Sequence, residues 1–140
     1  MLGNITNSIY WDKILGNTAA GQDGAEVDGD AIDARGYDRA LFILELGAVT
    51  ATGKVALQIQ ESANGTDFTD IAGAGFAATT ATGKDDDTIM IDVPVSKGYL
   101  RYQYQRTTAD VEFDVLQVGL YNSKKIPVTQ SDDVWQEIVI

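Results

Sequence analysis

Short runs of alternating apolar and polar residues fill the middle of this chain, and no segment sustains a helical period. In VALQIQES (55–62), Val55, Leu57 and Ile59 fall on one face and Gln58 and Gln60 on the other, the pattern of a half-buried strand. The stretch IMIDVPV (89–95) sets Ile89, Ile91, Val93 and Val95 against Met90, Asp92 and Pro94. Proline has no N–H for a ladder, so this strand is expected at an edge or ending there. YLRYQYQRT (99–107) places Leu100, Tyr102 and Tyr104 opposite Arg101, Gln103 and Gln105. In VEFDVLQVGLYN (111–122), Val111, Phe113 and Val115 share a face before Leu116, Val118 and Leu120 take over, which predicts a bulge near Leu116. RALFILELGAV (39–49) is apolar on both faces, with Phe42, Leu44 and Leu46 on one and Leu41 and Ile43 on the other. That run predicts a strand covered on both sides.

Between these runs, Asn64-Gly65 tolerates the positive φ of a tight hairpin turn. Ser62 and Asp67 are placed to bond nearby backbone, and Phe68 returns the chain to the core. Residues 72–84, AGAGFAATTATGK, read as a long surface loop with a short edge strand around Phe76. The pattern predicts an all-β fold, an antiparallel, jelly-roll-like β-sandwich spanning residues 35–122, with an N-terminal arm (1–34) and a C-terminal arm (123–140).

Composition narrows the functions open to such a fold. The 140 residues suit one domain, and 44% hydrophobic content suffices for a core. A formal charge of −11, with 10 basic residues against 21 acidic, disfavours nucleic acid and anionic membrane as partners. The absence of Cys and His removes thiol chemistry, His-ligated zinc and Ser-His-Asp triads. No apolar run reaches membrane-spanning length and the N-terminus lacks signal-peptide character, so the chain is expected to be intracellular when made.

Candidate chemistry is sparse. Asp85-Asp86-Asp87, Asp28 with Asp30, and Asp132-Asp133 offer hard oxygen ligands but lack the alternating spacing of a calcium loop. Asp92, Glu112 and Asp114 are the carboxylates a glycosidase would need, with nothing in the sequence to make them converge. Tyr99, Tyr102 and Tyr104 with Arg101 and Arg106 could form a sugar-stacking platform, or simply pair across a sheet. No enzyme activity, cofactor or metal is expected. The terminal segments hold both tryptophans and an apolar end, which are costly in a solvated tail. Ile9, Trp11, Ile14, Trp135, Ile138 and Ile140, with Lys124 and Lys125 beside them, are therefore the candidate protein-interface residues, packing on the chain's own body, another copy or another protein.

The segment RGYDRALFILELGAVTATGKVALQIQESANGTDFTDIAGA resembles a family of small phage-encoded virion proteins. Shared features are the Gly36-Tyr37-Asp38 start, the apolar strand into Gly47-Ala48-Val49-Thr50, the strand closing in Glu61-Ser62, the Asn-Gly turn and Phe68-Thr69-Asp70-Ile71. A later match takes in Lys97, Tyr99, Leu100, Arg101 and Tyr102, so the resemblance runs from about Gly36 to Tyr121. It implies a capsid decoration (cement) protein on the virion surface, with the major capsid protein and its own copies, as a trimer, for partners. A head-completion, neck or tail component is the first alternative. The Ser62–Phe68 turn is also similar to hairpins of discoidin-type carbohydrate-binding sandwiches, which makes a glycan-binding module the second.

Overall fold

The computed structural model describes residues 8–124 and 128–131. Six long strands supply the frame: β5 (Tyr37–Val49), β6 (Lys54–Ser62), β7 (Thr69–Thr80), β8 (Thr88–Pro94), β9 (Tyr99–Thr107) and β10 (Val111–Ser123). Four short strands precede them: β1 (Tyr10–Leu15), β2 (Thr18–Gly21), β3 (Val27–Asp28) and β4 (Ile32–Asp33). They form two antiparallel sheets packed face to face, the expected all-β sandwich. Sheet A runs β1-β10-β5-β8 with β2 also on β10, and sheet B runs β3-β9-β6-β7 with β4 also on β9. First and last long strands pair in sheet A, and second and penultimate pair in sheet B, so the chain wraps as nested pairs.

The alternation read from the sequence fills the space between the sheets. Ala40, Phe42, Leu44 and Leu46 of β5 meet Val55, Leu57 and Ile59 of β6 and Leu100, Tyr102 and Tyr104 of β9 across one core. Tyr104 sits edge-on to Phe113, with centroids 4.9 Å apart. A register shift between Phe113 and Val115 is the expected bulge; it turns Val115 outward and lets Leu116, Val118 and Leu120 face in. Pro94 ends β8, which is indeed an edge strand.

Two expectations change. Residues 72–80 are strand: β7 runs for 12 residues along the edge of sheet B. Its side chains are small and mostly exposed, with Ala74 its buried anchor, so edge pairing to β6 replaces apolar alternation as its cause. The N-terminal segment is not an arm from Tyr10 onward. β1 and β2 pair along β10, and β3 and β4 along β9, closing one side of the sandwich from both sheets. The reason is that β5 and β6 occupy only one edge each of β10 and β9, leaving long edges whose N–H and C=O groups need partners. Tyr10, Ile14, Leu15, Val27 and Ile32 pack against the core as they do so.

One buried ion pair fastens this segment. Arg106, 6% exposed, donates from Nε and Nη2 to the two carboxylate oxygens of Asp23 (2.9 Å each) and from Nη1 to the carbonyls of Ala19 and Val111 (2.8 and 2.9 Å). Burial raises the Asp23 carboxyl pKa, but hydrogen bonds from the Arg106 guanidinium and backbone N–H outweigh it and hold the group below the usual carboxylate value. Gly29 fits the same closure: a Cβ there would come 2.3 Å from the Tyr102 ring.

Arg106→Met, which leaves the part-buried Asp23 without its guanidinium partner, is expected to cost about 3 kcal/mol in chemical denaturation, the low end for breaking a buried pair. Restoring apolar complementarity with Asp23→Leu in the same chain should recover part of that loss. The folded pKa of Asp23 lies below the unfolded value of about 3.9, so the pair's contribution is complete above that pH and is lost as pH falls through the folded value. Acid denaturation should therefore show a shallower pH dependence in the double variant than in the natural chain; identical slopes would remove Asp23 from the acid transition.

Candidate functional site

Residues opposite one another in a ladder share a face, so the register of sheet A fixes what its outer surface carries. One row reads Trp11, Gly119, Leu41 and Asp92 from β1 to β8; the next reads Lys13, Gln117, Ile43 and Met90. Val115, turned outward by the bulge, stands beside Glu45 in the row after that. Trp11, Leu41, Ile43, Met90 and Val115 thus spread apolar surface across the full width of the sheet. Met90 is 62% exposed, and Trp11, Leu41, Ile43 and Val115 are half-buried. Strand β5 was expected to be covered on both sides; among the described residues, sheet B covers its inner side and no strand lies over its outer side.

The tryptophan position has a local cause. Gly119 has no side chain, and the Trp11 ring lies in the space a Cβ would take, with ring Cζ3 2.8 Å from that point. The β1 edge is held from outside by Gln130, whose Nε2 donates to the Ile9 carbonyl (2.6 Å) and whose Oε1 accepts from the Trp11 N–H (2.9 Å). That carboxamide does for β1 what a neighbouring peptide group would do. The apolar surface has a polar border at one end. Arg39 Nε donates to Asp92 (3.1 Å) and to the Tyr121 hydroxyl (3.0 Å), while that hydroxyl donates to the other Asp92 oxygen. Burial and the Asp92 carboxylate push the Tyr121 hydroxyl pKa up, against a smaller lowering by Arg39.

The outer face of sheet B is different in kind. Gln103 and Arg101 both hold Asp28, Arg101 Nε donates to Gln60 (2.7 Å), and Gln60 donates to Asp70 (2.7 Å). The Arg101 guanidinium lies 4.5 Å over the Phe68 ring. This ladder of polar groups is bonded to itself, and each member already has a partner for the atoms named.

The residues singled out in the sequence distribute as follows. Trp11 lies on the outer face of sheet A, Ile14 packs against the core, and Ile9 contributes its carbonyl to Gln130. Lys124 is exposed and donates its backbone N–H to Gly36. Lys125, Trp135, Ile138 and Ile140 lie outside the described residues. The tyrosine row is split: Tyr102 and Tyr104 are buried in the core, Arg106 is buried with Asp23, and Tyr99 and Arg101 belong to the other face. Burial, with lesser effects of Tyr104 and Asp30, pushes the Tyr102 hydroxyl pKa up to about 12. Asp92 is tied to Arg39 and Tyr121, whereas Glu112 accepts from Asn17 (3.0 Å) near the opposite end of the sheet. Asp85 accepts from the Val49 N–H, and Asp87 pairs with Lys84. Among the described residues no group of three or more carboxylates is placed to hold a metal ion.

The apolar outer face went unassigned in the sequence, although its signal was present in the two-faced β5 run. No known protein-family model matches the chain, and neither does any curated protein sequence.

Gly119→Ala should push the Trp11 ring off sheet A at a cost of about 1–3 kcal/mol, with a red shift in tryptophan emission. An unchanged spectrum and stability would mean that the ring does not rest on Gly119.

Proposed function

We propose that the protein is a structural component of a phage virion, a decoration protein that binds the major capsid protein from outside through the outer face of sheet A. The observation that carries the reading is the apolar surface of Trp11, Leu41, Ile43, Val115 and the exposed Met90 on a rigid sheet, bordered by the Arg39–Asp92–Tyr121 cluster. An apolar centre with a polar rim is the anatomy of a protein interface. The sequence resemblance to small virion proteins supplies the partner and the expectation of a self-associated trimer. The mechanism is mass action: a protein that binds only the assembled shell makes the shell harder to dissociate. The net charge of −11 favours a basic patch on the shell as the docking ground.

A head-completion, neck or tail role would use the same face at far lower copy number. Glycan binding has less support, because Tyr102 and Tyr104 are interior and the polar groups of sheet B's outer face bond one another.

Quantifying the protein in purified virions tests the reading. A copy number comparable to that of the major capsid protein is expected; a few copies per particle would assign it to neck or tail, and absence would end the virion reading. Met90→Asp, at an exposed position, should alter stability by no more than about 0.5 kcal/mol. It should nevertheless weaken binding to empty shells by about tenfold or more, a change of about 1.4 kcal/mol. Undiminished binding would exclude this face as the contact.

A further inference from the structure

The turn between β6 and β7 carries Asn64-Gly65, the dipeptide in which side-chain deamidation meets least steric resistance, since glycine has no Cβ to shield its nitrogen. In that reaction the Gly65 backbone nitrogen gives up its proton and bonds to Asn64 Cγ, and the side-chain nitrogen leaves as ammonia. Water then opens the resulting succinimide at either carbonyl. Opening at Cγ gives aspartate, and opening at the backbone carbon gives isoaspartate, whose main chain is one carbon longer. Isoaspartate, with its longer main chain, would dismantle this turn; aspartate would keep the acceptor oxygen but set a second carboxylate against Asp67.

The folded turn holds both reacting groups. The Gly65 N–H donates to Ser62 Oγ (3.0 Å), so the proton that must leave is bound to an acceptor. Asn64 Oδ1 accepts from the N–H groups of Thr66 (3.0 Å) and Asp67 (2.9 Å) and from the hydroxyls of Ser62 (2.8 Å) and Thr66 (3.0 Å). Asn64 Nδ2 donates to Asp67 Oδ2 (2.7 Å). The carboxamide is therefore fixed at both ends, and turning its carbon toward Gly65 would break several bonds together. Two of these contacts also work in the opposite sense: the Thr66 and Asp67 N–H groups polarise the Asn64 carbonyl and would stabilise the oxyanion of an attack. The electrophile is thus activated while the nucleophile is restrained.

We propose that Asn64-Gly65 is a latent succinimide site that the fold keeps closed, with Ser62 as the latch on the nucleophile and Asp67 as the clamp on the carboxamide. Neither role depends on what the protein binds. The site opens when the turn is released, and the isoaspartate product then disturbs the register that the turn sets between β6 and β7.

The test incubates the full chain at mildly alkaline pH and quantifies aspartate and isoaspartate at position 64 by peptide mapping. Four samples are compared: the folded natural chain, the same chain in guanidinium chloride, and folded Ser62→Ala and Asp67→Ala, with circular dichroism confirming that the variants remain folded. The folded natural chain should react at least about tenfold more slowly than the denatured one, and each folded variant should move toward the denatured rate by a factor of about five to ten, the effect of one hydrogen bond of about 1–1.4 kcal/mol. Asp67→Ala, which removes the acceptor for Asn64 Nδ2, keeps the reading falsifiable if Ser62→Ala fails to fold. Equal rates in the folded and denatured natural chain would overturn the proposal, as would folded variants that react no faster than the natural chain.

Discussion

The structure depends on the contact between Arg106 and Asp23. Without a partner, a guanidinium at the inner side of β9 would be an unpaired buried charge, and the cost of that would fall on the whole core. With Asp23 and the carbonyls of Ala19 and Val111 around it, the charge is spent on joining β2, the β2–β3 connection, β9 and β10. Both sheets meet at this point. The first strands are thereby committed to the edges of β10 and β9, and β1 is placed where Trp11 can lie over Gly119. Closure of one side of the sandwich and completion of sheet A's outer surface follow from the same contact.

The two outer faces then divide the chemistry of the molecule. Sheet B turns glutamines, Arg101 and two aspartates outward and bonds them to one another, giving a wettable surface. Sheet A turns a leucine, an isoleucine, a valine, a methionine and a tryptophan outward and has its best-formed polar cluster at one end. Strands apolar on both faces belong to sheets covered on both, whereas the strands of an antiparallel sandwich commonly turn polar residues outward. Here the inner side is covered by sheet B, and the outer side offers a hydrogen-bonded and therefore rigid platform. Rigidity matters for binding, because little conformational entropy is lost when such a platform docks.

How much of this was legible depended on whether the physical cause was local. The half-buried strands β6, β8 and β9 declared themselves, because Val55, Leu57 and Ile59, or Leu100, Tyr102 and Tyr104, alternate with polar neighbours within a few residues. The bulge was legible from the phase change between Phe113 and Leu116. Strand β7 was not, since alanines, glycines and threonines on an exposed edge carry no alternation. Strands β1 to β4 were read as an arm because their cause is remote: they satisfy edges of β9 and β10 that lie far along the chain. Arg106 was read into an aromatic row for the same reason, its partner being 83 residues away. The apolar outer face was half legible. Leu41 and Ile43 were seen to need cover, but only the ladder register shows that Trp11, Val115 and Met90 join them.

The proposed role rests on docking through sheet A's outer face. Site-specific photocrosslinking on intact particles tests it most directly, with a photoreactive residue in place of Met90 on sheet A or of Gln103 on sheet B. A crosslink to the major capsid protein is expected from position 90 and none from position 103. A crosslink from position 103 alone, or none from position 90 on particles that carry the protein, would contradict it.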